Sequence, residues 1–556
     1  MRPVPKARHI LAVAILVVVS ALAHVHAACQ RQLADEQVGV LVNMLRSTNR
    51  QLYQRDAIFG DSGLWRFRTP VWEWYLRESY RTGGSQSPVK ALANLSGPLT
   101  LIYLLGMYGL LYRQCRSWSI ACYVAVLSTA VVPVAGDGWG LGPLRSITAD
   151  TVYLAFVPWL VWGLVTTLGS PNVLWVFLAA GLLANIHAVT AMNFGLVAAG
   201  AILVHGHFSR PSWLTAAGGL FCTLAGASPF LAYYLVQRAA FAADAAASWS
   251  AADIALGPAG LAVLLPDVLA ALLTMPTLGY LLALSLPAAG AILLPGRLAV
   301  KDARLWVGML VSAAIVGLGL HGVCQLLGMF RDQPPPVADF IHALRFLMLP
   351  LYVLLAEAIV QLTRLGLPRR ALRVTLAAVL AVWLVPADNL VAARQWVDRT
   401  ATGIMREQER SEPMRRRLIE PDRGRELAAI GDYLWHNTPI DTVIICDQGR
   451  LRLWSRRALV VCGDDVKYLY YLAPRRLATW AAVGAEQEEA LSPKSGGPCD
   501  PRGLERFARR HGAEFAVVPA EKAFAAVNAP RWTELENAAW GAQWKLYQLA
   551  DRPAGK

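Results

Sequence analysis

Long apolar runs of near-spanning length, separated by short basic turns, set the narrowest limit on what this chain can fold into. In hydrocarbon every backbone N–H and C=O needs an internal partner, so repeated runs of this kind specify a bundle of membrane-crossing helices. Composition agrees: 55% of the 556 residues are hydrophobic and only 16% charged, which exceeds a soluble globule's usual apolar share. The net charge of +14 does not indicate nucleic-acid binding. Much of it sits in turns between spans, where lysine and arginine set orientation.

The turns give a topology. Arg2, Lys6 and Arg8 precede the first span, Ile10 to Ala28, which is expected to stay as an uncleaved anchor. Arg113 and Arg116, then His205, His207 and Arg210, then Arg297, Lys301 and Arg304, then Arg364, Arg369, Arg370 and Arg373 mark cytoplasmic turns. Between them lie the runs Leu95 to Leu111, Ile120 to Val134, Thr151 to Leu168, Val173 to Ile186, Ala188 to Val204, Trp213 to Val236, Thr277 to Leu294, Leu305 to Leu327, Phe346 to Leu362 and Val374 to Val391. Arg238 to Pro276, with its Gly and Pro punctuation, suits an interfacial or re-entrant helix pair. About eleven spans result, within a transmembrane domain over 1–396 that carries a large first external loop, 29–94.

Beyond Trp396 the character changes. Dense Arg and Glu over 397–425 suit a connecting helix on the membrane surface, and 426–556 is expected to form an extracytoplasmic α/β domain. ELAAIGDYLWHNTP has helical spacing and a Pro stop, DTVIICD and RALVVCGDD are short β-branched runs, and GLERFARRHGAEFAVVP is a helix, a glycine stop at Gly512 and a strand. WKLYQLA closes as a strand. No Gly-rich nucleotide turn, Ser-centred elbow or zinc spacing occurs there. The eight cysteines show no CxxC spacing, and Cys446 with Cys462 is the one pair that neighbouring strands can bring together.

Candidate chemistry lies in the external loops. The stretch Tyr53 to Tyr80, YQRDAIFGDSGLWRFRTPVWEWYLRESY, combines Asp56 and Asp61 with Arg55, Arg66, Arg68 and Arg77. Its aromatics, Trp65, Phe67, Trp72, Trp74, Tyr75 and Tyr80, suit the headgroup layer. Thr69-Pro70 is placed to open a short helix. Such a loop can engage a phosphate-bearing lipid, or it can be an interfacial loop with ordinary ion pairs. The second loop offers Asp137, Arg145 and Asp150, the last of which also suits a helix cap. His187 follows near the outer end of the fifth span, and Arg331, Asp332, Asp339, His342 and Arg345 lie in the late loop. Ionisable groups at span ends tend to be paired or functional. In a functional reading Asp56 is a general base, and Arg345 or Arg331 clamps a phosphate. Asp137 or Asp150 can hold a divalent cation, for which oxygen ligands suit Mg²⁺ or Mn²⁺, although no spacing specifies a metal site. His187 serves equally well as a packing residue.

These features together resemble the C-type glycosyltransferases. The resemblance rests on Asp56-x-x-Phe59 followed by TPVWEWYLR (Thr69 to Arg77), HALR at His342 to Arg345, and the C-terminal NTP followed by strands. Protein mannosyltransferases, oligosaccharyltransferase catalytic subunits and aminoarabinose transferases share that architecture, and the short motifs are similar to uncharacterised bacterial members. The resemblance implies transfer of a sugar from a polyprenyl-phosphate donor to an extracytoplasmic acceptor at a bacterial plasma membrane. It implies Asp56 as the catalytic base and Arg345 as a contact to the donor phosphate; Asp61 is the further catalytic candidate, and His342, Arg331, Asp137 and His187 are the further candidates for substrate contact. The chain departs from the oligosaccharyltransferase pattern in having neither a DxD in its second loop nor a WWDYG-type stretch near its end. Two other readings stand beside this one. A transporter of lipid-linked sugars needs charged or broken spans, and Glu357 is the one clear mid-span charge. A non-catalytic scaffold for envelope polysaccharide assembly has no need of Asp56.

Overall fold

The computed structural model describes residues 6–29, 35–60, 69–82, 88–129, 132–134, 137–139, 147–245, 269–270, 272–293, 302–330, 340–364, 400, 412–472, 476–491, 498–524 and 531–550. The protein is mostly helical. The first apolar run forms α1 (Lys6–Cys29), and the stretch after it carries α2 (Asp35–Thr48) and α3 (Pro70–Thr82). There follow α4 (Pro88–Cys115), α5 (Trp118–Leu127) and a short hairpin of β1 (Val132–Val134) and β2 (Asp137–Trp139). The bundle continues with α6 (Ala149–Thr167), α7 (Val173–Leu183), α8 (Ala188–His205), α9 (Arg210–Gly226), α10 (Ser228–Ala245) and α11 (Met275–Leu293). Next come α12 (Ala303–Ala314), a π-helical turn (Ile315–Leu320), α13 (His321–Phe330), a 3₁₀ segment (Phe340–Leu347) and α14 (Met348–Arg364).

Six of the described helices or continuous helical runs are long and apolar enough to cross a membrane, and α9 with α10, bent by 62°, makes a seventh if counted as one span. The expected count of about eleven is therefore not reached among the described residues. The run Val374 to Val391 lies outside them. Three other expected spans appear as shorter apolar helices: α5, α7 and the Leu281–Leu293 part of α11. The expected span Ile120 to Val134 ends early, because the helix stops at Leu127 and the chain turns into β1. α1 lies at the bundle's edge with Ile10, Val18 and Leu22 exposed, whereas α14 is central, with Met348 to Leu354 buried. Glu357, inside α14, takes a hydrogen bond from Gln114 of α4.

The C-terminal part begins with α15 (Glu412–Asn437), one continuous helix across the boundary at 425/426 where a connector was expected to give way to a domain. Then come β3 (Val443–Ile445), α16 (Arg450–Ser455), β4 (Ala458–Leu459), α17 (Asp465–Leu472), α18 (Leu477–Leu491), α19 (Pro501–His511), β5 (Phe515–Pro519), β6 (Trp532–Glu534) and β7 (Trp544–Leu549). The sheet order is β4-β3-β5-β7-β6, with β3 parallel to β4 and β5 and the remaining pairs antiparallel. Alternation with period two buries both faces. Val443, Ile445, Ala516 and Val518 pack with Leu504 and Phe507 of α19, while Ile444, Val517 and Leu546 pack with Leu427, Ile430 and Leu434 of α15. Asp500 caps α19 by accepting from the N–H groups of Arg502 and Gly503, and Gly512 ends it at φ +64°.

Candidate functional site

Two groups of ionisable side chains meet across long sequence separations. The first joins the external loop to the α/β domain. Asp56 Oδ1 accepts from the N–H groups of Ile58 and Phe59 at 2.9 and 3.0 Å, a local turn typical of aspartate. Its Oδ2 accepts from Arg452 Nε at 2.7 Å and from Leu459 N at 3.1 Å. Arg452 also grips Asp465 with both terminal nitrogens, at 2.5 and 2.9 Å, and touches Cys462 Sγ at 3.2 Å. Phe59 lies against the same guanidinium, 5.3 Å from ring centre to Cζ. The two ion pairs hold Arg452 well above its ordinary pKa, so it stays charged although burial opposes this. Tyr53, with its hydroxyl bonded to the Arg452 carbonyl, is also buried, which pushes its pKa up.

Further contacts fasten the same junction. Arg55 donates to the carbonyls of Asp441 and Gly512, and Arg476 to that of Ala57. α2 approaches α17 so closely that a Cβ at Gly39 would sit 1.8 Å from the Tyr468 hydroxyl. The loop's aromatics do not all face headgroups: Trp72 and Tyr80 are buried in protein, and only Trp74 is widely exposed. Trp65, Phe67 and Asp61 lie outside the described residues. Cys446 and Cys462 remain free thiols. Cys462 is committed to Arg452 and Asp465 instead, and burial pushes both thiols up.

The second group lies where several spans begin. Thr148 caps α6 through a reciprocal pair with Thr151, so the capping task expected of Asp150 falls to its neighbour. Asp150 is thereby left to pair with Arg345, bonding through Oδ2 to Nη1, and Thr148 Oγ1 donates to its Oδ1. His187 caps α8, its Nδ1 accepting from Thr190 N at 3.3 Å, and it interacts electrostatically with the Asp150 carboxylate.

Packing fixes Arg345 in place. Its 3₁₀ segment sets His342 and Arg345 on one face, since residues three apart eclipse in that geometry. Leu344 presses on Gly317 of the π turn, where a Cβ would come within 2.6 Å of it, and Phe346 packs edge-on against Phe194 of α8 at 5.8 Å. A side chain at residue 317 would make Leu344 shift.

Of the residues expected at a site, Asp150, His187 and Arg345 come together, and His342 stands one 3₁₀ turn away. Asp56 lies elsewhere, with both oxygens engaged. Asp137 begins β2, opposite Val134, and its side chain is outside the described residues, as is Arg331. Among the described residues no three His, Cys, Asp or Glu side chains gather as metal ligands. One placement was not anticipated from the sequence. Gln37, in the first turn of α2, donates to the carbonyl of Ile147 at 3.0 Å. That bond, across 110 residues, pins the start of α2 to the residue before Thr148.

No family model and no curated protein matches the chain. Among solved structures it is similar to the Archaeoglobus fulgidus oligosaccharyltransferase tethered to an acceptor peptide containing the NVT sequon. That match has TM-score 0.43 and 11% identity, covering 92% of this chain and 69% of the other. It is also similar to AglB from the same organism in complex with an inhibitory peptide and a dolichol-phosphate, with TM-score 0.38 and 11% identity, covering 97% and 74%. With TM-scores below 0.5, neither likeness carries an argument about this chain.

Proposed function

We propose that the protein is a membrane glycosyltransferase that moves a sugar from a polyprenyl-phosphate donor to an acceptor on the extracytoplasmic side of a bacterial plasma membrane. The observation that carries this reading is Arg345, a guanidinium at the mouth of a span, held by Asp150 within reach of His187. A planar fork there matches phosphate oxygens and stays charged. Asp150 orients it before the donor arrives, and the neighbouring apolar side chains of Leu344 and Phe346 suit the first isoprene units.

Asp56 has no oxygen left for an acceptor, so the base is assigned to Asp61, the other aspartate of the same loop. It takes the acceptor's hydroxyl proton, and the acceptor oxygen bonds to the anomeric carbon. The bond from that carbon to the phosphate oxygen breaks. The phosphate leaves with the electron pair, and Arg345 balances its charge. The positive-inside count places this mouth and the α/β domain outside.

The test is transfer from a purified polyprenyl-phosphate sugar donor. Arg345→Lys keeps the charge but loses the fork, so the donor KM should rise while melting stays put. Asp61→Asn should abolish turnover in a protein that still folds. Unchanged donor dependence in the first variant makes Arg345 a membrane anchor. Full turnover in the second moves the base elsewhere, and no transfer by the wild-type chain from any such donor leaves the scaffold reading.

A further inference from the structure

The opposite end of the bundle carries a cavity that sugar transfer does not use. α6 starts at the Asp150 mouth and runs 19 residues, about 28 Å at 1.5 Å per residue. Around its far end lies a cavity of about 680 Å³, enclosed by the last turns of α4 and α8, the first turns of α7 and α9, and Asp302 before α12.

Its polar wall is cationic. Arg113 donates through Nη2 to the Val165 carbonyl at 3.2 Å, which aims the guanidinium. Its Nε is buried and has no hydrogen-bond partner among the described residues, and the same holds for His205 Nδ1. Two helices present their N-termini to this space, and neither Asn172 nor Ser209 makes a side-chain cap bond. At α7 the N–H groups of Val173, Leu174 and Trp175 are bonded to the carbonyls of Ser170, Pro171 and Asn172, and Pro211 at the start of α9 has no N–H, so it is the helix dipoles that favour an anion. Asp302 is the one acid lining the cavity. Apolar side chains complete the wall, and Leu214 among them is 67% exposed, so the cavity opens toward the surface that lipid would cover.

We propose that this cavity binds a phosphate group, carried by an anionic phospholipid headgroup or free in solution, between Arg113, His205 and the starts of α7 and α9. Arg113, in the wall of the cavity, offers phosphate oxygens a charged donor beside the two helix starts. The site is remote from the Asp150–Arg345 mouth and does not depend on the transfer reaction.

The experiment uses the full chain in detergent, with two readouts. Native mass spectrometry measures retention of phosphatidylglycerol against phosphatidylcholine, and thermal melting in lipid-free detergent measures the response to inorganic phosphate. The wild type should prefer phosphatidylglycerol or be stabilised by phosphate. The first response identifies a headgroup site, the second a free-phosphate site. Arg113→Gln should weaken that response roughly tenfold, as loss of one charge-assisted contact implies, and His205→Gln less so. Arg116→Gln, exposed and outside the cavity, serves as control. The proposal fails if the wild type shows neither response. It fails equally if Arg113→Gln and His205→Gln, both folded, respond as the wild type does, or if Arg116→Gln loses as much as Arg113→Gln.

Discussion

Asp56 and Asp150 are both aspartates bonded to an arginine far away in the sequence, yet the two pairs differ in kind. Around Asp56 every oxygen is engaged, the partner Arg452 is shared with a second carboxylate, and side-chain exposures are 2% and 0%. Asp150 takes Thr148 through one oxygen and Arg345 through the other, and its side chain and that of Arg345 are more exposed, at 14% and 10%. A saturated buried group holds two pieces of chain together, whereas a more exposed pair with fewer donors can exchange its partner for a substrate's charge. The neighbours separate structural from reactive acids here, and residue type does not.

The strongest way to break the comparison is Arg452→Met. It strands two buried carboxylates, and removal of one partner from a buried ion pair costs about 3–5 kcal/mol. Loss of the cooperative melting transition is expected, and a transition near that of the wild type would show the tie to be dispensable. Arg345→Gln should act in the other sense, lowering transfer roughly 10²–10³-fold, in line with loss of one stabilising donor, while melting moves little. Equal damage to melting in both variants would erase the distinction drawn above.

Asp56→Asn sharpens it. The amide retains one acceptor but weakens the Arg452 contact, at a cost of about 1–3 kcal/mol, and turnover per folded molecule should not change. A fall in turnover with unchanged melting would return Asp56 to catalysis.

The smallest effect expected is in alkali. Burial pushes Cys499 up to about 12, and burial with the nearby Glu534 carboxylate does the same for Tyr547. The unfolded chain therefore releases these protons first, and folding stability falls as pH rises above about 9. Melting should be steady near neutrality and decline beyond that point. A rise there would contradict the burial of both groups.

Much of the α/β domain was legible, because its elements are short and punctuated. WKLYQLA became β7, and GLERFARRH became α19 with its stop at Gly512. The sheet's order was not, since no local pattern says that β7 inserts between β5 and β6. At the candidate site, His187 and Arg345 were visible as ionisable groups at span ends. Asp150 was visible too, but its capping role went to Thr148.

Apolar run length by itself determined that this chain builds a helical bundle, for runs of that length in hydrocarbon satisfy their backbone groups as helices, and short punctuated runs marked the small α/β domain. Which aspartate is sealed and which is left at an opening was decided only by tertiary structure. A carboxylate's role depends on how many donors reach it. Those donors, Arg452, Leu459 and Arg345, lie 396, 403 and 195 residues from the acids they meet.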